Sequence, residues 1–443
     1  MSSLILGFFE HLNPNGMSGA SWSHPRNTST NYLTLDYWIS LAKRLDEAGA
    51  DFLFLADSYG MPIVDGAVPE AALRVAQHIP TADPFGIASA VLAATNDLGL
   101  VITSSTVFEE PYANARRFAT LDHLSGGRMG WNVVTSASAA SASAMFGREL
   151  TPHDTRYDMA DDYMELSYRL LEGSWEDDAV VQDRDARVYA RASGVHRVDY
   201  EGEYFRAHGV FPVEPSPQRT PVVFQAGSSG RGRAFAAAHA ECVFLQGTTV
   251  PAVAASVADI RAQAVGLGRD ATDVKILVGL TVITAPTAEE AAQKYEEFRS
   301  FSTDESAAVQ FAYNTGIDLL SMDPDKPLGD VAANQGQSNV DRFRGGPDTP
   351  APTVREILDE LRGRGLRGLV LVGRPEQVAD EIEAYVESTG VDGFLLESYL
   401  NPGTYDDILG LLLPVLRERG VVEPFREAGS LRERLAGGGT AHL

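Results

Sequence analysis

A single cysteine, Cys242, is all the thiol this chain carries. One thiol cannot close an internal disulfide or build a thiolate metal cluster. It stands beside Val243, Phe244 and Leu245, so it reads as a buried structural thiol. Basic residues are also scarce. Against 61 Asp and Glu there are 36 Lys and Arg, a formal charge of −25 at pH 7. That balance argues against a nucleic-acid partner or an anionic membrane surface, and it requires any anionic ligand to be met by a local cluster of donors. No apolar stretch approaches the roughly 18–20 residues that span a bilayer. The apolar run near the start has no basic region before it and does not look like a signal peptide. A soluble cytoplasmic protein is expected. There is no Gly-x-Ser-x-Gly elbow, and no two histidines take a metal-ligand spacing such as His-x-x-x-His, so a serine hydrolase and a metal enzyme lack support.

What the chain does have is repetition of a simple kind. Short apolar runs at 4–9, 51–56 and 98–102, and one through Trp131, alternate with amphipathic helical patterns such as 35–48, 84–95 and 113–124. Further strand signals follow at 221–226, 241–245, 275–284 and 392–396, with a closing helix at 408–416. Eight apolar strands alternating with helices predict a parallel sheet, read here as a (β/α)8 TIM barrel with insertions in one domain over 1–443. An open doubly wound sheet shares this periodicity. Two stretches interrupt the repeat. One, at 173–217, has scattered charges and a hairpin-like piece at 200–205. The other, at 301–352, is rich in Asp, Asn, Gly and Pro and lacks the periodicity of a core element. The second reads either as a passive excursion or as a lid hinged at its Gly and Pro clusters. The glycine-rich tail after Glu423 reads as loose.

Polar residues gather at predicted strand ends. Gly126 and Gly127 break a helix, and the strand after them ends in Asn132, Thr135 and Ser136. Asp57 and Thr103 hold matching places on two other strands. In a barrel these positions face the end where active sites form, though each taken singly reads more simply as a loop hydrogen-bonder. The loop Gln225-Ala226-Gly227-Ser228-Ser229-Gly230-Arg231-Gly232-Arg233 joins a strand to a helix. Small residues let backbone N–H groups approach a phosphate, the helix start adds positive potential, and Ser228, Ser229 and Arg231 offer further donors. The same wording also fits a plain connection. It lacks the Gly-Lys-Ser/Thr ending of a P-loop, and no GxGxxG falls within it. In His153-Asp154-Thr155-Arg156-Tyr157-Asp158, Thr155 and Asp158 suggest a capping-box start for a helix over about 156–171. His153 and Tyr157 there are open to a ligand role or to packing.

The wording of these segments resembles the bacterial luciferase-like flavin monooxygenases, in the branch of nitrilotriacetate, pristinamycin and dibenzothiophene-sulfone monooxygenases. Phe118-Ala119-Thr120-Leu121-Asp122-His123-Leu124-Ser125-Gly126-Gly127-Arg128 carries it, as do Gly130-Trp131-Asn132-Val133-Val134-Thr135-Ser136, residues 153–158 and Asp392-Gly393-Phe394. The resemblance implies FMN contacts at Asp57, Thr103, Asn132, His153, Tyr157, Ser228 and Ser229, with Arg231 added on the charge argument. It implies reduced FMN supplied by a separate NAD(P)H:flavin reductase, O2 as oxidant through a flavin C4a-peroxide, and a small organic substrate. A homo-oligomer, dimer or tetramer, and no bound metal are expected. No acid–base residue is named; His11 and His24 are candidates for substrate contact. The alternatives are a deazaflavin-dependent oxidoreductase of the same superfamily and a non-catalytic flavin-binding protein.

Overall fold

The computed structural model describes residues 3–15, 19–136, 139–227, 229–247, 249–329, 336–346, 350–364, 369–423 and 429–436. Eight parallel strands close on themselves: β1 (Ile5–His11), β2 (Phe52–Ala56), β3 (Gly99–Ser105), β4 (Met129–Val134), β5 (Val222–Gln225), β6 (Cys242–Leu245), β7 (Lys275–Thr284) and β8 (Gly393–Glu397). Each pairs with the next, and β8 returns to β1, with Phe9 opposite Glu397. The barrel expected from the alternating pattern is thus present, and the open sheet is excluded by the β1–β8 pairing. A further strand, Val370–Gly373, pairs with the second half of β7 on the outside, an element the strand-by-strand reading missed.

Alternation on each strand sorts the side chains. Ile5, Phe9, Phe52, Phe54, Val101, Val222, Phe224, Cys242, Leu277 and Leu395 fill the lumen. Cys242 is fully buried, as its apolar neighbours suggested. Leu4, Leu6, Phe8, Leu53 and Leu55 point outward onto the helices. The helix Leu35–Glu47 shows why the pattern was legible: Trp38, Leu41, Ala42 and Leu45 share one buried face.

Three expectations need correction. The tail is not wholly loose: the helix Leu431–Ala436 inserts Leu431 and Leu435 into the lumen from the barrel's N-terminal end. The glycines at 437–439 lie outside the described residues. The helix expected from Arg156 begins earlier, as His153–Leu171, with Pro152 at its cap and no side-chain cap bond. Thr155 lies inside the first turn, so the proposed capping box does not form. The second interruption does contain core elements. Its helix Asp304–Thr315 packs with Leu319, Leu328, Val340, Phe343 and the helix Val354–Arg364 around a small apolar cluster of their own. Val340 and Phe343 are buried there. The first interruption forms two hairpins, Val180–Asp183 with Val188–Ala190 and Arg197–Glu201 with Arg206–Val210; the 200–205 piece is the turn side of the second.

Candidate functional site

At the C-terminal end of the barrel, the lumen narrows on an aromatic floor. Phe9 stacks on Phe54 with centroids 5.4 Å apart, and Phe224 and Phe244 meet Phe54 edge-on at 6.1 and 5.4 Å. Thr103 stands two residues above Val101 on the same strand face, and Asn132 stands opposite it in register. Asn132 donates its amide N–H to Thr103 Oγ1 at 2.9 Å. Its own carbonyl oxygen, Oδ1, is buried without a partner. An orphaned buried acceptor costs about 1–3 kcal/mol, so it marks a place where a donor belongs.

Beside it the strand ends turn polar. Ser105 and Ser136 share a hydroxyl hydrogen bond of 2.7 Å, and Ser136 holds a left-handed φ of 73° that a non-glycine residue adopts only under constraint. Asp57, at the end of β2, lines a small recess with Tyr59, Asp83, Phe85, Thr103, Ser105 and Ser136. Burial pushes the Asp57 carboxyl up to about 7, opposed by the Ser58 amide and helped by the charges of Asp83 and Glu109. At neutral pH it is therefore partly protonated.

The loop after β5 makes the third part. Ser229 caps the helix Gly230–His239, its hydroxyl accepting from Gly232 N at 3.0 Å. Tyr157 reaches in from the helix His153–Leu171, and its hydroxyl lies among Thr135, Ser229 and Gln225. It fits because the loop has no side chains where it passes: a Cβ on Gly227 or Gly232 would come within 2.7 or 2.8 Å of that oxygen. The glycines here serve close approach. Burial raises the Tyr157 phenol, so it stays a neutral donor.

The remaining candidates are placed differently. His153 packs its ring edge-on to Tyr157 at 5.3 Å and pairs with Asp154 at 2.8 Å on a half-exposed turn. Arg231 is engaged by Asp158 and Asp161, with its guanidinium 5.5 Å over the Tyr157 ring. Ser228 lies outside the described residues. His11 is at the mouth, its ring 5.0 Å from Phe9. His24 is buried in the wall, bonded to Glu297 at 3.1 Å and accepting from Arg26 N at Nδ1.

Sequence reading missed the mouth's opposite wall. His78 stacks face to face on Tyr313, 3.7 Å and 7° apart, and both His78 and Gln77 donate to Gln310 Oε1, at 2.8 and 2.6 Å. No local motif announces a contact between residues 235 positions apart. One glycine spacing misleads in the other direction. Gly363-Arg364-Gly365-Leu366-Arg367-Gly368 has the GxGxxG pattern of a dinucleotide loop. Yet it begins in the last turn of the helix Val354–Arg364 and ends before the strand Val370–Gly373, the reverse of the strand-to-helix context such a loop needs.

Residues 17–393 match the model of a family described as luciferase-like monooxygenase. The dimethyl-sulfide monooxygenase of Hyphomicrobium sulfonivorans is 41% identical over 434 residues, 98% of this chain and 90% of that protein. The long-chain alkane monooxygenase of Geobacillus thermodenitrificans is 40% identical over 95% of this chain and 91% of its own length. Among solved structures, a riboflavin lyase with modified FMN and its substrate riboflavin superposes with a TM-score of 0.94, at 45% identity, over 99% of this chain and 97% of that one. Among the described residues, no helix is long and apolar enough to cross a membrane.

Proposed function

The chain belongs to the luciferase-like monooxygenase family, and on that premise we propose that it oxygenates a small organic substrate with O2, using reduced FMN supplied by a separate NAD(P)H:flavin reductase. The observation that carries this reading is the meeting, at one barrel mouth, of a glycine-lined cradle around the Tyr157 hydroxyl, beside the Ser229-capped helix start, with the orphaned acceptor of Asn132. Tyr157, Ser229 and the start of the helix Gly230–His239 would hold the phosphate. Thr103 and Asn132 would meet the polar edge of the flavin ring, with the Asn132 carbonyl accepting from its imide N–H. Asp57, poised near 7, can hold or release a proton at its carboxyl beside that site. The phenylalanine floor closes the lumen below and keeps water out. Reduced FMN, when bound, supplies the chemistry that activates O2.

For the substrate, the wall of His11, His78, Tyr313, Gln77 and Gln310 favours a polar, hydrogen-bonding, planar molecule over a bare alkane. Riboflavin is such a molecule, and it is the substrate in the 45% identical structure. The test is oxygen uptake with a flavin reductase and NADH, comparing riboflavin, dimethyl sulfide and a long-chain alkane, with products followed by mass spectrometry. Oxygenated or cleaved product from one of these, dependent on the reductase, is the expected result. Substrate turnover with reduced deazaflavin and no oxygen requirement would overturn it.

A further inference from the structure

Behind the cradle lies a layer of side chains that the flavin reading leaves without a task. Arg231 is bonded by Asp158 at 3.1 Å and by Asp161 Oδ2. The other oxygen of Asp161 meets His239 Nε2 at 3.0 Å, and His239 Nδ1 lies 3.0 Å from the hydroxyl of Tyr168, itself buried. A carboxylate only accepts, so the imidazole carries its proton on Nε2 and donates it to Asp161. His239 also packs on Phe235 at 4.7 Å, and Phe235 on Tyr157 at 5.7 Å. Two routes, one ionic and one aromatic, therefore run from His239 to the Tyr157 ring.

We propose that His239 is a positioning residue: acting through Asp161 and Arg231, it fixes the Tyr157 ring and so sets the preference for a phosphorylated flavin over the same flavin without phosphate. The inference rests on the FMN reading above. Arg231 has its charge met by two carboxylates, while its guanidinium carbon lies 5.5 Å from the Tyr157 ring centroid, within reach of the ring face. Asp161 would be free to turn about its Cβ–Cγ bond if only Arg231 held it; His239 bonds the second oxygen and stops that rotation. The tolerance at the other end is small. The Tyr157 hydroxyl is wedged between Gly227 and Gly232, and hydrogen bonds weaken steeply once distance and angle drift. A ring displaced by a fraction of an ångström loses the phosphate. Riboflavin has no phosphate and does not sense the change.

The test measures oxidised FMN binding by fluorescence quenching, and riboflavin binding at the same site by its displacement of FMN, with thermal unfolding as control. His239→Leu keeps the packing on Phe235 and loses both hydrogen bonds. It is expected to weaken FMN about tenfold, the size of one charge-assisted bond, and riboflavin by less than about twofold. His239→Gln, whose amide N–H can still reach Asp161, is expected to recover most of the preference. If His239→Leu does not fold, Tyr168→Phe is expected to shift the FMN-to-riboflavin ratio in the same direction by a smaller factor. Equal losses for the two flavins, an unchanged ratio, or a Gln variant no better than Leu would overturn the proposal. A parent protein from which riboflavin displaces FMN as readily as FMN itself does would instead overturn the phosphate site itself.

Discussion

The two ends of this barrel treat buried polar groups in opposite ways. At the N-terminal end, Arg432 pairs with Glu241 at 2.6 Å and donates to the carbonyls of Gln218 and Thr220, both at 2.7 Å. Gln218 in turn bonds both oxygens of Asp122, and Glu241 accepts from Val223 N. Leu431 and Leu435 fill what space remains. Within this cluster each charged side chain meets a partner. At the C-terminal end the Asn132 carbonyl has no partner, Asp57 and Glu10 are raised to about 7 by burial, and Ser136 sits in a strained conformation. A fold able to satisfy one end leaves the other costly only where a ligand completes it. The proposed site rests on that difference and not on a motif.

The comparison can be broken from either side, and the largest effect is expected at the N-terminal end. Arg432→Met leaves the Glu241 carboxylate buried and unpaired, which should cost about 3–5 kcal/mol in urea unfolding. Flavin affinity of the folded fraction should not change. A loss below about 1 kcal/mol, the worth of an exposed pair, would show that the plug is not structural.

Glu10 tests the other side through pH. It accepts a 2.8 Å bond from Ser398, yet burial raises it from 4.5 to about 7. The folded chain therefore holds this proton more tightly than the unfolded chain does. Its contribution to stability is full below about pH 4.5 and is lost as pH rises through 7. Glu10→Gln, which cannot ionise, should gain about 3 kcal/mol at pH 8 relative to the parent and little at pH 4.5. Parallel pH–stability profiles for the two proteins would contradict this.

Tyr157→Phe should weaken FMN by roughly 1.5–3 kcal/mol, with a melting temperature close to the parent's. The smallest effect is expected for Ser229→Ala. Loss of the helix cap costs about 1 kcal/mol of stability, with a further loss of FMN affinity that riboflavin does not share. Equal affinity in mutant and parent would remove either residue from the site.

Most of this architecture was legible in the chain. The eight strands are continuous apolar runs because both faces of a parallel barrel strand are buried, and that signal is local. The strand-end residues Thr103 and Asn132 were legible for the same reason, since their place on the strand fixes their place at the mouth. What escaped was long-range. The plug contributes only two leucines from a six-residue helix, too short for periodicity to register. The pairing of Arg231 with Asp158 and Asp161 spans some 70 positions between two helices, and charge counting sees a cation where the fold has a neutralised cluster. The small core around Phe311, Phe343 and Ile357 is assembled from separated turns inside a stretch whose average composition is polar.

The central claim is that the unsatisfied end binds a phosphorylated flavin, reduced by preference, at Tyr157 and Asn132. Anaerobic calorimetric titration with reduced FMN, repeated with oxidised FMN, addresses it most directly. The account predicts saturable binding of one flavin per chain, tighter for the reduced form, weakened in Tyr157→Phe and unchanged in folded Arg432→Met. No saturation by either redox state up to roughly 1 mM, the weak end of ordinary enzyme affinities, would contradict it.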